Sequence, residues 1–268
     1  MTAFDVSERR IWGGRAESYA RTHARLCAHT VPALLDAAVV GSGTRLLDVG
    51  CGSGSVTVAA VGRGAVVRAV DAEPGMVAAT RRAAPGVEAR TGTLPQLPYP
   101  DGEFDAVVAN FVLNHVGRPL ESLVELRRIT RPGGRIAVTI WQVPNAPGQA
   151  LIGRAAQAAG LTRPDWLATV DAEHNFPRTP EGLGALLTAA GLGDVRGASL
   201  SWDHRVDADD WWAGPASGVA ATGQLVNSRG PEGVAAAKRE YDVMCQEFTG
   251  ADGLLALPHV AVLAHGKV

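Results

Sequence analysis

The segment Leu46-Leu47-Asp48-Val49-Gly50-Cys51-Gly52-Ser53-Gly54-Ser55 carries the sharpest chemical signal in the chain. It runs from an apolar stretch suited to a buried strand into a glycine-dense turn that opens a helical pattern. Glycines at 50, 52 and 54 admit positive φ and remove Cβ atoms, so a ligand can lie directly against backbone amides where the helix begins. Seventeen residues beyond Gly54 a second apolar run ends in Ala69-Val70-Asp71, and an acid there can accept both hydroxyl hydrogens of a ribose. Together the two features imply an adenosine-containing ligand. A dinucleotide fingerprint would place glycine where Ser55 stands; the pattern here is G-x-G-x-G preceded by Asp48, an acid suited to the ammonium of an amino-acid tail. A glycine pattern alone can also be only a tight turn, but its place between strand and helix, with Asp71 following, favours binding.

A second candidate group is Asn110-Phe111-Val112-Leu113-Asn114-His115, which begins at the carboxyl end of the apolar run Ala106–Ala109. That position lies beside the switch point at which open α/β sheets bind ligands. His115 is a candidate general base because imidazole titrates near neutrality; the alternative is a histidine that caps or packs a short helix. His174, near Asp171 and Glu173, precedes Phe176 in a candidate lid, and His204 follows Asp203; each can reach an acceptor pocket or stand solvated in a loop. No histidines pair at helical i, i+4 spacing, so no metal site is expected. Trp12, Trp141, Trp166, Trp202, Trp211 and Trp212 all lie outside residues 44–140. Flat side chains gathered there suit an apolar or aromatic acceptor, or anchor helices onto the sheet.

These residues need a scaffold, and the hydrophobic pattern supplies one. Ser7 to about Ala38 reads as helical, interrupted near Pro32. Leu46–Val49, Val66–Val70, Val87–Ala89, Ala106–Ala109 and Ile136–Trp141 read as buried parallel strands separated by crossovers, which predicts a doubly wound sheet. After Trp141, prolines at 144, 147, 164, 177 and 180 punctuate a connection, and Thr179-Pro180-Glu181 opens a helix to about Ala190. Val195–Trp202 and Leu257–Leu263 read as two more strands, with helical stretches near Ala208–Trp212 and Glu232–Glu247 between them. So long an excursion between strands is usually functional.

Residues 44–141 resemble a class I S-adenosylmethionine-dependent methyltransferase of the small-molecule, methyltransferase-domain type. Besides the glycine loop, Asp71-Ala72-Glu73-Pro74-Gly75-Met76 is similar to the family segment after the second strand. The segment Gly92-Thr93-Leu94-Pro95-Gln96-Leu97-Pro98-Tyr99 with Asp101-Gly102-Glu103-Phe104-Asp105 resembles the adenine loop and fourth strand, and Arg131-Pro132-Gly133-Gly134-Arg135 the turn before the fifth. The resemblance implies that Gly50, Cys51 and Gly52 line the cofactor, that Asp71 and Ala72 hold the ribose, and that Met76 packs on adenine. It also places Thr93 and Leu94 at the adenine edge and Asn110 and Phe111 by the methionine portion. Thr93 stands where the family often has an acid, which implies a changed contact to the adenine amino group. Tyr19 can reach the cofactor carboxylate or merely close the core. The later positions, Asn114 and His115, approach the acceptor, with Trp12, Trp141, His174, Phe176 and His204 as further pocket candidates. The fold implied is α/β: a Rossmann-like doubly wound seven-stranded sheet with an antiparallel last strand, N-terminal helices (1–43), a cofactor-binding core (44–141), and a C-terminal part (142–268) with a helical cap insertion around 204–252.

Composition narrows the partners. The 268 residues carry a net charge of −2, with none of the basic excess that duplex nucleic acid demands. Three scattered cysteines make neither a disulfide framework nor a zinc cage, and no apolar run reaches the roughly 18 residues of a membrane span. A cytoplasmic monomer or homodimer is expected. The expected reaction is transfer of the methyl group of S-adenosylmethionine to oxygen, nitrogen or carbon of a small metabolite in specialised metabolism, releasing S-adenosylhomocysteine. Two alternatives stay open: a non-methylating cyclisation that keeps the cofactor as a structural element, and a nucleotide-dependent oxidoreductase, which Ser55 disfavours.

Overall fold

Strands form where the apolar runs predict them. The computed structural model describes residues 1–268 and contains β1 (Arg45–Val49), β2 (Val66–Asp71), β3 (Glu88–Thr91), β4 (Phe104–Asn110), β5 (Thr130–Trp141), β6 (Gly193–Val206) and β7 (Leu255–Lys267). They make one sheet in the order β3-β2-β1-β4-β5-β7-β6, in which β7 alone runs antiparallel to its neighbours. Leu46, Leu47, Val107, Val108, Ile136 and Ile140 are fully buried, as strands covered by helices on both faces require. The strand order reverses between β1 and β4, and the glycine loop and Asn110 stand side by side at that switch point.

Twelve helices surround the sheet: α1 (Ala3–Trp12), α2 (Ala16–Arg21), α3 (His23–Cys27), α4 (Val31–Ala37), α5 (Ser55–Gly62), α6 (Pro74–Ala83), α7 (Pro119–Ile129), α8 (Pro147–Ala158), α9 (Pro180–Ala189), α10 (Ala208–Ala216), α11 (Ala220–Val226) and α12 (Gly230–Cys245). None is long and apolar enough to cross a membrane. The N-terminal region is cut more finely than its periodicity predicts. Breaks fall at Gly13-Gly14 and Thr22 as well as ahead of Pro32, which sits in the first turn of α4, where a missing N–H costs no hydrogen bond. Thr2 and Asp5 cap α1 reciprocally, and the same Asp5 accepts the Gly117 amide at 2.7 Å, fixing α1 over the β4–α7 connection.

The proline punctuation after Trp141 reads as a connection, yet it contains α8. Pro147 opens that helix, and Gln149 accepts amides from Ala146 (3.2 Å) and from Val260 on β7 (2.9 Å). Leu151, Ile152, Ala155 and Ala156 are then buried against Trp211, Trp212, Tyr241 and Leu255. The excursion between β6 and β7 is therefore packed on α8 in a second hydrophobic core. The helix opened by Thr179 forms as expected, its Oγ1 accepting the Gly182 amide at 3.1 Å.

Candidate active site

All three loop glycines adopt left-handed backbone, with φ of 66° at Gly50, 54° at Gly52 and 96° at Gly54. Space is as restrictive as conformation at the first: a Cβ on Gly50 would lie 2.3 Å from Val112 Cγ2. One on Gly52 would come within 3.1 Å of the Tyr19 ring, so Tyr19 from α2 stands directly over the loop. The Gly50 and Cys51 amides bond the Val70 carbonyl (2.8 and 3.1 Å), which binds the loop to the end of β2.

Asp71, at that strand end, accepts the Gly52 amide on Oδ2 and the Glu73 amide on Oδ1, both at 2.9 Å. Each oxygen keeps a second lone pair, and two free acceptor sites on one half-buried carboxylate match a ribose diol. Burial raises the pKa of Asp71 while the Glu73 and Gly52 amides oppose the shift. Asp48 lies fully buried beneath the loop: its Oδ2 accepts the Thr57 hydroxyl at 2.6 Å and its Oδ1 has no partner. That orphaned acceptor suits an ammonium group. The glycine cradle, the Asp71 lone pairs and Asp48 Oδ1 thus fit a ligand with a ribose and an amino-acid tail.

Burial lifts the Asp48 pKa from 3.8 to about 7, with the charge of Asp71 adding to it and Thr57 opposing it. Below pH 3.8 the group is protonated in both folded and unfolded chains. As pH rises toward 7 the unfolded chain ionises first, so stability falls by on the order of 4 kcal/mol and the slope then ends. His23, His204 and His259, each depressed to about 4 by burial, tilt the same window the other way. Urea unfolding of wild type against Asp48→Asn isolates the acid: between pH 4.5 and 7.5 the histidines raise the stability of both, and wild type should gain less than the variant. Parallel pH profiles would show that Asp48 does not titrate this way.

The remaining cofactor candidates are distributed around this cradle. Met76 is buried on α6, Ala72 is exposed, and Thr93 and Leu94 lie half-buried in the loop after β3. Cys51 is buried and receives the Thr80 hydroxyl at 3.3 Å; the same hydroxyl reaches the Gly52 carbonyl at 2.9 Å. Tyr19 retains its phenolic proton, its pKa raised by burial first and then by Cys27, Asp71 and Asp48. Asn110 is occupied within the fold: its Oδ1 accepts Thr30 (2.7 Å) and Thr139 (2.6 Å), and its Nδ2 donates to the Cys27 carbonyl at 3.0 Å. Its side chain therefore clamps the α3–α4 corner onto β4 and β5.

Two groups emerge on the acceptor side. In the first, His115 Nδ1 lies 2.8 Å from Glu8 Oε2, which also accepts the Trp12 indole N–H at 3.0 Å. Trp12 packs edge-on against both His115 (5.1 Å) and Tyr19 (5.6 Å), so α1 and α2 join this pair to the glycine loop. Asn114 lies beside it, its Oδ1 accepting Arg178 at 3.4 Å. Glu8 had no sequence signal beyond its place on an amphipathic helix.

In the second group, Phe111 holds a positive φ of 58° and stacks on Trp141 at 4.0 Å. Trp141 meets Trp202 (6.0 Å) and His259 (5.9 Å), and His204 meets Trp211 at 5.3 Å. His29 stacks on Trp202 at 5.6 Å and shares a hydrogen with His204 at 3.3 Å. His29 is exposed, Trp141 and Trp202 are half-buried, and His204, Trp211 and His259 lie at depth, so the cluster runs from the surface into the interior. Sequence reasoning missed His29 and His259. Strand alternation carried a signal for the latter: Trp202 pairs with His259 and Trp141 with Ala261, which places them on one face with His204. His174 and Phe176 join neither group. His174 faces Glu173 at 3.6 Å, and Phe176 packs on the main core with Leu183 and Leu187. A surface concavity of about 590 Å3 beside Asp101, Arg128 and Val268 lies at the opposite end of the strands from the glycine loop.

Comparisons with known proteins agree with this geometry. Residues 47–138 match the methyltransferase domain family. A demethylmenaquinone methyltransferase of Mycolicibacterium vanbaalenii is 34% identical over 166 residues, covering 59% of this chain and 72% of that protein. The enzyme of that name from Beutenbergia cavernae is 38% identical over 122 residues, 45% of this chain and 51% of the relative. The chain spans about half the length of most of the curated relatives it matches. A solved putative methyltransferase from an antibiotic biosynthesis pathway of Anabaena variabilis shares the fold, with a TM-score of 0.62 and 17% identity over 90% of this chain and 97% of that one. The chain belongs to the class I S-adenosylmethionine-dependent methyltransferases. Its cofactor is S-adenosylmethionine.

Proposed function

We propose that this chain methylates oxygen, nitrogen or carbon of a small, planar, largely apolar metabolite. The observation that carries the reading is the cluster of aromatic rings joined through Phe111 to the carboxyl edge of the sheet. The demethylmenaquinone methyltransferase name of its relatives supports a quinone-type acceptor. The core at 44–141 would hold the cofactor, while residues 1–43 and the insertion around 204–252 would shape the acceptor side, in a monomer or homodimer.

S-adenosylmethionine supplies a methyl group already activated on sulfonium, so the chain's task is placement and exclusion of water. Asp71 would hold the ribose and Asp48 the ammonium, with Met76, Thr93 and Leu94 on the adenine side. Tyr19, over Gly52, closes the loop from α2. Glu8 fixes the His115 ring through Nδ1 and leaves Nε2 to take a proton from an acceptor hydroxyl.

Incubation with methyl-labelled S-adenosylmethionine and a panel of aromatic metabolites, read by mass spectrometry, tests the reading. A labelled product with equimolar S-adenosylhomocysteine is expected. Cofactor binding with no S-adenosylhomocysteine for any acceptor would overturn it, and conversion of an acceptor without S-adenosylhomocysteine would indicate a cyclisation. With a hydroxyl acceptor, His115→Ala should lower turnover about 100-fold or more while cofactor affinity stays unchanged. Equal turnover of variant and wild type across pH would remove His115 from the mechanism.

A further inference from the structure

Arg178 brings a positive charge to the His115 group without a counter-ion. Its carbonyl accepts the Val143 amide at 3.1 Å, and Val143 follows the end of β5, so the residue is pinned at the carboxyl edge of the sheet, the edge that also carries the glycine loop and Asn114. The side chain is half-buried, yet its single hydrogen bond runs from Nη1 to Asn114 Oδ1 at 3.4 Å. No carboxylate stands within ion-pair distance. Glu8, the acid whose charge acts on Arg178, is already occupied by His115 Nδ1 (2.8 Å) and the Trp12 indole N–H (3.0 Å). Arg63, Arg68, Arg128 and Arg154, half-buried like Arg178, each meet a carboxylate. Arg15 and Arg135 share the lack of one, but only Arg178 bonds a neighbour of His115.

The free atoms select the ligand. Nε and Nη2 of Arg178 have no partner, and both reach solvent, so they are open to an incoming group. These two nitrogens form one side of the guanidinium fork, whose parallel N–H groups match the two oxygens of a carboxylate. Burial lowers the pKa of the guanidinium while Glu8 opposes the shift, and an arginine so placed still carries its charge at neutral pH. A half-buried cation left unpaired costs desolvation that an anion bound beside it offsets. The Asn114 contact on Nη1 leaves the Nε side of the fork clear. His115, whose side chain is 34% exposed, is likewise open to a bound compound.

We propose that Arg178 is a specificity-determining residue that grips a carboxylate of the methyl acceptor through Nε and Nη2, so that the substrate is an aromatic acid whose methyl-accepting group faces His115. That the bound acid is a methyl acceptor rests on the methyltransferase reading above; the grip on a carboxylate rests on Arg178 and its surroundings alone. Arg178 binds and orients, separate from the proton-accepting part given to His115.

Three probes test it by calorimetry on the full chain: 2-naphthoate, which carries the anion; 2-naphthamide, its uncharged isostere; and 2-naphthol, which lacks the carboxyl group. The naphthoate should bind about tenfold or more tightly than either of the others. Arg178→Gln should reduce naphthoate affinity to about that of the amide and leave the amide itself unchanged, a split that a merely structural role would not produce. Arg178→Lys, which keeps the charge and loses the fork, should fall between. Equal affinities for naphthoate and amide, no binding of any probe, or equal loss of both in Arg178→Gln would overturn the proposal. The wild-type comparison decides even if the variants fail to fold. Titration of S-adenosylmethionine into the same preparation separates the two readings. Cofactor binding without preference for the anion overturns the carboxylate grip alone, whereas absence of cofactor binding overturns the methyltransferase assignment.

Discussion

Gly50→Ala is expected to destabilise the chain by several kcal/mol and to abolish cofactor binding in whatever fraction remains folded. Two costs coincide at this residue. Its φ of 66° places an L side chain in the left-handed region, at about 1–2 kcal/mol. The new Cβ would also sit 2.3 Å from Val112 Cγ2, and overpacking of this kind typically costs about 1–3 kcal/mol. Val112 is β-branched and stiff at χ1, so its methyl cannot swing aside cheaply. Pairing Gly50→Ala with Val112→Ala should recover the steric share and leave the backbone share, a division that urea unfolding of the two single variants and the double variant measures. Wild-type stability for Gly50→Ala would show that the loop can shift to absorb a side chain.

Asp71→Ala should weaken S-adenosylmethionine binding by about 10- to 150-fold, the equivalent of a charge-assisted hydrogen bond worth roughly 1.5–3 kcal/mol. The variant removes the acceptor for a ribose diol and also frees the Gly52 and Glu73 amides that the carboxylate holds at 2.9 Å. Asp71→Asn keeps one acceptor oxygen and should fall between the two. Calorimetry reads the affinities, and a thermal melt of each variant distinguishes a lost contact from a lost fold. Unchanged affinity in a folded Asp71→Ala protein would remove this residue from the ribose site.

The centre of the sheet was legible because β1, β4 and the second half of β5 are buried on both faces, and Val, Leu and Ala runs report that burial directly; the edge strands β3 and β6 are largely exposed, yet all seven strands overlap the runs that predict them. The glycine loop was legible for a related reason. Gly50, Gly52 and Gly54 are required by backbone conformation, which depends on local sequence. Helix α8 was not, because prolines at 144, 147 and 164 suggest a connection; Pro147 instead opens the helix, and only the α10–α12 packing shows why Leu151 and Ala155 are buried. The acceptor side was least legible. His29, Trp141, Trp202, Trp211 and His259 come from five separate elements, and no spacing along the chain encodes their convergence. The Glu8–His115 contact spans 107 residues and depends on how α1 docks. Asn110 was readable as important, yet its partners Thr30, Thr139 and Cys27 turn it toward bracing the scaffold.

The excursion from β6 leaves and returns through two adjacent, hydrogen-bonded strands, Val206 facing Leu255 in the ladder. A segment clamped at neighbouring points can be exchanged for one of another length without moving the rest of the sheet, since the gap to be bridged stays the same. Trp211 travels with such an exchange, whereas Trp202, His204 and His259 stay behind on the ladder. An exchange at this junction would therefore rebuild the packing over Trp202, His204 and His259 while the glycine loop and Asp71, at the far side of the sheet order, keep their places.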